Sequence, residues 1–304
     1  MSTTTPSRTS SRTRGSSALQ HSVVRPTRRP RIGWGGTIIL LIGAAYCLLP
    51  VAWVLVASSK SAAELFSTFT FAPSSHLVDN ISELSAYRGG LFWRWMLNTG
   101  LYAGVGALLS VVVSAMAGYG LAKYSFAGKK AVFNTLLAGV LVPAVVLAIP
   151  QYLLLAKLGM TNTYWSVLLP SIISPYGIYL ARIYAAASVP DDVIEAARTD
   201  GAKDFRIFRT MAVPMMLPGL VTVFLFQFVG IWNNYMLPYI MLGDDKLFPL
   251  TVGLSGLLNQ GASQPAMYTS VITGALLSIL PLIALFLTLQ RYWQVDLAAG
   301  AVKS

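Results

Sequence analysis

Charged residues, cysteine and histidine are all scarce in this sequence of 304 residues. Charged side chains make up only 11% of the chain, whereas soluble domains average about 25%. This composition excludes a cytosolic enzyme and a secreted domain. The single cysteine, Cys47, has no partner for an internal disulfide, which excludes a disulfide scaffold. The two histidines, His21 and His76, are too few for a His/Cys metal cluster and leave no histidine base next to a serine.

Long apolar runs dominate the chain instead, and hydrophobic residues reach 55%. A mostly apolar run of about 18 or more residues can cross a bilayer as a helix. We predict an all-α fold, a polytopic membrane protein with six spans near residues 35–57, 97–121, 132–155, 164–187, 213–236 and 267–290. Pro143 and Pro150 predict kinks in the third span. Small residues predict a packing seam on the second span, formed by Gly100, Gly104, Ala107, Ser114 and Gly118.

The basic residues are distributed unevenly among the connections between these spans. With the N-terminus in the cytoplasm, 17 of the 22 Lys and Arg residues lie in cytoplasmic segments and five in external ones. Cytoplasmic segments of membrane proteins hold most of the Lys and Arg residues. The net charge of +11 therefore indicates topology rather than nucleic-acid binding, and both termini are expected to be cytoplasmic. Residues 1–31 have little to bury and predict a disordered basic tail.

The connection at 188–212 differs from the others because it contains five of the eleven acidic residues. Ser188 and Asp191 predict the N-cap and first turn of a short helix. Gly201 predicts the end of that helix, and a second helix is expected over about 202–211. Such a cytoplasmic hairpin, with small residues on one arm and phenylalanines on the other, suits docking to another protein. The alternative is an amphipathic hairpin lying on the membrane surface.

This loop also contains a pattern known from one family of transport proteins. It resembles, over residues 195–214 (EAARTDGAKDFRIFRTMAVP), the EAA loop of permease subunits in binding-protein-dependent ABC importers. Two further segments, Trp232-Asn233-Asn234 and the C-terminal residues 297–303, are similar to the carbohydrate-uptake branch, especially the second permease subunit of maltose-type importers. The resemblance implies a set of ATPase-coupling residues: Glu195, Ala196, Ala197, Asp200, Gly201, Phe205, Phe208 and Pro214.

The resemblance further implies a transport function and several partner chains. These partners are a second, different permease, two cytoplasmic ATP-binding subunits and an extracytoplasmic solute-binding protein, assembled at a prokaryotic cell membrane. The chain lacks a Walker A motif, since Gly128-Lys129 has Lys123 where the first glycine is required. ATP and Mg²⁺ are therefore expected in the ATPase subunits, with no cofactor, catalytic residue or metal site in this chain. The alternatives are an ion-coupled secondary transporter, which normally needs intramembrane acids, and a polytopic membrane enzyme or scaffold.

Uncharged polar side chains within the spans are the candidates for contact with a solute. The residues expected along the substrate pathway are Asn98, Gln151, Gln227, Trp232, Asn233 and Asn234. Amides exchange hydrogen bonds with hydroxyl groups and an indole stacks on a sugar face, although such residues also join helices. The external segments hold five basic and five acidic residues, so no net charge attracts an ion. We therefore expect a neutral saccharide as substrate.

Overall fold

The structure is a computed structural model that describes residues 34–301, with side chains for residues 34–292. The tail predicted at 1–31 lies outside the described residues, as do the side chains of the C-terminal segment from Leu297 onward. The chain divides into two units, residues 1–47 and 48–304. The described part of the first unit is helical and almost wholly exposed. The second unit holds the packed helices.

Residues 34–301 form helices joined by short turns, and no β-strand occurs among them. The α-helices are α1 (Trp34–Ala57), α2 (Ala62–Ser67), α3 (Leu77–Ala86), α4 (Leu91–Lys123), α5 (Lys129–Leu141), α6 (Ala144–Lys157), α7 (Tyr164–Ile172), α8 (Pro175–Ser188), α9 (Asp191–Thr199), α10 (Asp204–Ile207), α11 (Val213–Trp232), α12 (Met236–Met241), α13 (Leu250–Gln260) and α14 (Ala266–Ala301). Shorter helical turns lie at Tyr87–Gly89, Phe208–Ala212 and Asp245–Leu247. The predicted all-α class is confirmed.

Five segments of the described chain are long and apolar enough to cross a membrane as helices: Trp34–Ala57, Leu91–Lys123, Tyr164–Ser188, Asp204–Trp232 and Ala266–Tyr292. The pair α5 and α6 is a sixth candidate, but its two helices are bent by 106° relative to each other. The bend falls at Val142-Pro143, because the proline ring disfavours a helical conformation of the preceding residue. The kink predicted at Pro143 is therefore a complete break, whereas Pro150 remains inside α6.

The segment Tyr164–Ser188 is also interrupted, between α7 and α8. Ser174 leaves the helical conformation, with φ −115° and ψ 109°, and Pro175 begins the next helix. The Ser174 hydroxyl accepts a hydrogen bond from the Gly177 amide at 3.0 Å and so caps α8. A serine followed by proline thus ends one helix and starts another inside an apolar run.

Helix α4 is the centre of the second unit and packs against α7, α8, α11 and α13. One hydrophobic cluster surrounds Trp95 and Tyr102 and lies against the loop at 244–250. A second cluster surrounds Tyr119 and includes residues of α9, so it lies against the hairpin. One end of α4 therefore contacts the loop at 244–250, and the other end contacts the hairpin.

The packing seam predicted on α4 holds for part of its length. A Cβ atom at Gly118 would lie 2.6 Å from the backbone nitrogen of Arg182, so α4 and α8 are in backbone contact there. Ser114 faces Gly177 in the same contact. Gly100 and Gly104 have nothing within 4 Å of an added Cβ and lie outside it.

Candidate coupling hairpin and transport cavity

The first arm of the hairpin is α9, and it begins later than the sequence predicts. Helix α8 continues through Ser188, and the N-cap of α9 is Pro190, not Ser188. The Val189 amide still bonds to the Ala185 carbonyl at 3.3 Å, which holds Ser188 within α8. Asp191 and Asp192 lie in the first turn of α9, where negative charge stabilises a helix.

Helix α9 is amphipathic, and its two faces have different surroundings. Ile194 and Ala197 are buried in the cluster around Tyr119. Glu195 and Ala196 are exposed on the opposite side. Within the E-A-A triplet, the second alanine thus attaches α9 to the membrane helices, and the first two residues remain free to contact another chain.

The turn after α9 requires glycine for its backbone conformation. Gly201 has φ +81°, and nothing lies within 4 Å of an added Cβ. The Gly201 and Ala202 amides bond back to the carbonyls of Arg198 and Ala197 at 2.9 Å each, which ends the helix in a tight turn. Asp200 is exposed directly before this turn.

The second arm differs from the separate helix predicted over 202–211. Helix α10 covers only Asp204–Ile207, passes into a wider π turn at Phe208–Ala212 and continues as α11. Asp204–Trp232 is thus one unbroken helical segment of 29 residues. The π turn ends at Ala212, two residues before Pro214, which lacks the amide needed for the regular hydrogen-bond ladder. Pro214 and Pro218 both lie within this helical segment, so no turn separates the hairpin from the fifth span.

The two arms are joined to each other and to α4 by side-chain contacts. Arg198 donates a hydrogen bond to Asp204 at 3.0 Å, and this bond raises the pKa of Arg198 above its ordinary value. Phe208 packs on Tyr119 of α4, with ring centroids 5.2 Å apart. Phe205 is 67% exposed. One phenylalanine thus anchors the hairpin, and the other is open to a partner.

A cavity of about 370 Å³ lies among the helix interruptions of the third, fourth and fifth spans. Its lining includes Val142 at the α5–α6 break, Ser174 at the α7–α8 break and Asn234 after α11. Irregular backbone is tolerated at membrane depth where it lines a cavity or is buried in protein. Discontinuous helices also form the substrate sites of many transporters. The three breaks therefore make this cavity the candidate solute site.

Three of the six predicted pathway residues meet in this cavity. Gln151, Gln227 and Asn234 belong to its lining, and the Gln227 amide donates to the Ser174 hydroxyl at 2.6 Å. Ser171 and Ser174 are lining residues that the sequence reasoning missed. The Ser174-Pro175 step inside an apolar run was the available signal for them. None of the described residues that line the cavity is charged.

The other three predicted pathway residues lie elsewhere. Asn98 is buried and donates to the carbonyls of Lys246 and Phe248 at 2.9 and 3.0 Å, and it accepts from the Tyr164 hydroxyl at 3.0 Å. These bonds attach the loop at 244–250 to α4.

Trp232 is 5% exposed and stacks on Phe228, with ring centroids 5.5 Å apart. Asn233 is exposed and bonds to the Val229 carbonyl of its own helix at 2.9 Å. No aromatic side chain lines the cavity, so the described residues place no ring there to stack on a sugar.

Known proteins resemble this chain in sequence and in fold. Residues 110–294 match the family described as "Binding-protein-dependent transport system inner membrane component". The arabinooligosaccharides transport system permease protein AraQ of Halalkalibacterium halodurans is 32% identical, over 90% of this chain and 98% of that protein. The melibiose/raffinose/stachyose import permease protein MelC of Bacillus subtilis is 30% identical, over 88% of this chain and 95% of that protein.

A solved structure agrees with these matches in fold. A crystal structure of a bacterial ABC transporter involved in the import of the acidic polysaccharide alginate superposes with a TM-score of 0.74, at 23% identity. The alignment covers 85% of this chain and 95% of that chain. This chain therefore belongs to the family of binding-protein-dependent ABC-importer permeases, and the resemblance to carbohydrate-uptake permeases is confirmed.

Proposed function

We propose that the chain is one of two permease subunits in an ATP-driven sugar importer and that it couples ATP hydrolysis in partner chains to alternating access. Membership of the permease family and relatives named for oligosaccharide transport support this. Two cytoplasmic subunits bind ATP and Mg²⁺, and an extracytoplasmic binding protein delivers the solute. The distribution of Lys and Arg supports cytoplasmic termini in a prokaryotic cell membrane.

The exposed face of α9 is the observation that carries the coupling proposal. Glu195 and Ala196 are free to meet an ATPase subunit, while Ala197 on the opposite face is buried against the membrane helices. An ATPase that moved α9 would also move α4, because Ile194 and Ala197 of α9 are buried in the cluster around Tyr119. Because the second arm continues into α11 without a break, the same motion would reach the fifth span.

Motion of these helices would act on the cavity. Helix α11 carries Gln227 in the cavity lining, and the Gln227–Ser174 hydrogen bond joins it to the α7–α8 break. Breaks between helices are places where rigid segments change direction relative to one another. Rocking of α11 and α4 would therefore open the cavity to one side of the membrane and close it to the other.

The cavity lining supports a neutral, hydroxyl-rich solute. Amide and hydroxyl groups line it without any charge, and these groups both donate and accept hydrogen bonds. A saccharide exchanges its bound water for such bonds, whereas an ion would lose hydration without a counter-charge.

Two substitutions in the hairpin test the coupling proposal by solute uptake in intact cells. Glu195→Lys reverses the charge on the exposed face, and Gly201→Val forces a β-branched residue into φ +81°. A hydrogen bond to a charged group contributes about 1.5–3 kcal/mol of free energy. A change of about 1.4 kcal/mol in binding free energy alters the binding constant tenfold. We expect each variant to reach the membrane but to lose uptake about tenfold or more, together with copurification of the ATPase.

Two controls separate docking from general damage to the fold. Gly89→Val places the same side chain at φ +73° in the turn between α3 and α4, and Asp79→Lys makes the same charge reversal at an exposed position of α3. Both controls should retain uptake and ATPase copurification. Normal uptake and copurification in either hairpin variant would overturn the docking assignment.

A further inference from the structure

A basic groove lies where the N-terminus of α5 meets α8. It has a volume of about 470 Å³, and its lining includes Lys129, Lys130 and Arg182. Among the described residues, no acidic side chain lines the groove. None of the ion pairs between described residues involves these three cations, although Lys123 nearby is paired with Asp191 at 2.8 Å. The positive charge of the groove is thus left without a counter-charge from the described chain.

Arg182 is held in a position that leaves its hydrogen-bond donors unused. Its guanidinium carbon lies 4.0 Å from the centroid of the Phe133 ring, and that ring stacks on Tyr179 at 6.4 Å. The Arg182 Nε atom is buried and has no hydrogen-bond partner among the described residues. A buried donor without an acceptor costs about 1–3 kcal/mol. A planar guanidinium fixed on a ring is well arranged to bind a phosphate through two parallel hydrogen bonds.

The two lysines extend the site toward the surface. The Lys129 ammonium donates to the Tyr124 carbonyl at 2.9 Å, which holds it beside the groove, and Lys130 is exposed. Gly128, the N-cap of α5, has no side chain to accept from the first amides of the helix, so the helix start adds its own partial positive charge. The groove therefore combines one ordered guanidinium with two ammonium groups.

The depth of the groove points to a lipid. Arg182 lies six residues before the end of α8 at Ser188, about 9 Å along the helix axis. With the orientation of the proposed function, on which this step depends, that is the cytoplasmic boundary of the bilayer. Cytoplasmic leaflets are negatively charged, and basic pockets between spanning helices bind anionic headgroups.

We propose that this groove binds the phosphate group of an anionic phospholipid in the cytoplasmic leaflet. The phosphate accepts hydrogen bonds from Arg182, and the two lysines supply the remaining charge. The acyl chains lie along the apolar surface of α5, where Val132 is exposed. Lipid bound at this point joins α5 to α8. Helix α5 comes before the α5–α6 break and α8 comes after the α7–α8 break, and both breaks shape the cavity.

Native mass spectrometry tests this proposal on the full-length chain, purified in neutral detergent with the chains that accompany it. Phosphatidylglycerol and phosphatidylcholine with the same acyl chains are titrated separately. We expect phosphatidylglycerol to bind at least about tenfold more tightly than phosphatidylcholine. Lys130→Gln with Arg182→Gln should abolish that preference, and Lys130→Gln alone, at an exposed site, should reduce it without affecting folding.

The control variant removes the same number of charges from connections that the proposed topology places on the external side. Arg88→Gln with Lys157→Gln should retain the preference for phosphatidylglycerol. Equal binding of the two lipids, or an unchanged preference in the groove variants, would overturn the proposal. Displacement of phosphatidylglycerol by millimolar inorganic phosphate would instead assign the site to a soluble anion and overturn the lipid assignment. Cysteine labelling of the topology distinguishes a wrong orientation from a wrong lipid site.

Discussion

Gly118→Ala is predicted to destabilise the protein because α4 and α8 are in backbone contact at this point. The added Cβ would lie 2.6 Å from the Arg182 nitrogen and 2.7 Å from the Ala181 carbonyl carbon. These are backbone atoms, so no side-chain rotation relieves the overlap and the two helices must separate. Overpacking of this kind typically costs about 1–3 kcal/mol. Alanine also favours the helix over glycine by about 1 kcal/mol, which offsets part of that cost.

Gly104→Ala in the same helix isolates the clash from the helix propensity. Nothing lies within 4 Å of an added Cβ at Gly104, so this variant has the gain in helix propensity without a clash. The two variants should therefore differ by about the cost of the clash. Thermal unfolding of the purified proteins in detergent measures it, since about 1 kcal/mol shifts Tm by about 2–4 °C in a chain of roughly this size. Gly118→Ala should melt about 2–12 °C below Gly104→Ala, and equal melting temperatures would refute the α4–α8 contact.

Three further predictions concern topology, the external loop and the solute. In a Cys47→Ala background, cysteine at Ser74 should react with an impermeant thiol reagent in intact cells, and cysteine at Thr199 only after permeabilisation; the reverse pattern would contradict the orientation. Asn98→Leu leaves two loop carbonyls without their donor, so it should lower stability by about 2–5 kcal/mol in chemical unfolding while leaving the apparent KM for sugar unchanged; a raised KM at normal stability would place Asn98 in the pathway. Gln227→Glu adds a charge to an uncharged cavity and should reduce neutral-sugar uptake about tenfold or more, and a panel of neutral sugars, amino acids and glycerophosphodiesters should show preference for a neutral sugar; preference for a charged compound would contradict the solute assignment.

The long elements of the fold follow from the sequence because each needs only an apolar run of sufficient length. The all-α class and the positions of most spans rest on this signal alone. The hairpin turn could also be predicted from the sequence, because Gly201 occupies a positive φ that other residues rarely adopt. Such local features depend on a few neighbouring residues and need no knowledge of packing.

Features that depend on tertiary contacts were harder to predict from the sequence. From the sequence, Asn98 and Gln227 are equally good candidates for the substrate pathway, since both are amides within apolar runs. Only the packing shows that Asn98 holds the loop at 244–250 and that Gln227 faces the cavity. The severity of the break at Pro143 and the continuity of Asp204–Trp232 likewise depend on how neighbouring helices accommodate a proline.

Site-specific photo-cross-linking from α9 tests the central claim that this helix docks to an ATPase. A benzophenone amino acid replaces exposed Ala196 in the full-length chain, and the same residue replaces exposed Ser82 on α3 as the control. After irradiation of intact cells, the cross-linked partners are purified and identified by mass spectrometry. The account predicts an ATP-binding subunit cross-linked from position 196 and not from position 82. Absence of an ATP-binding chain among the partners of position 196, with efficient cross-linking to lipid or other proteins, would contradict it.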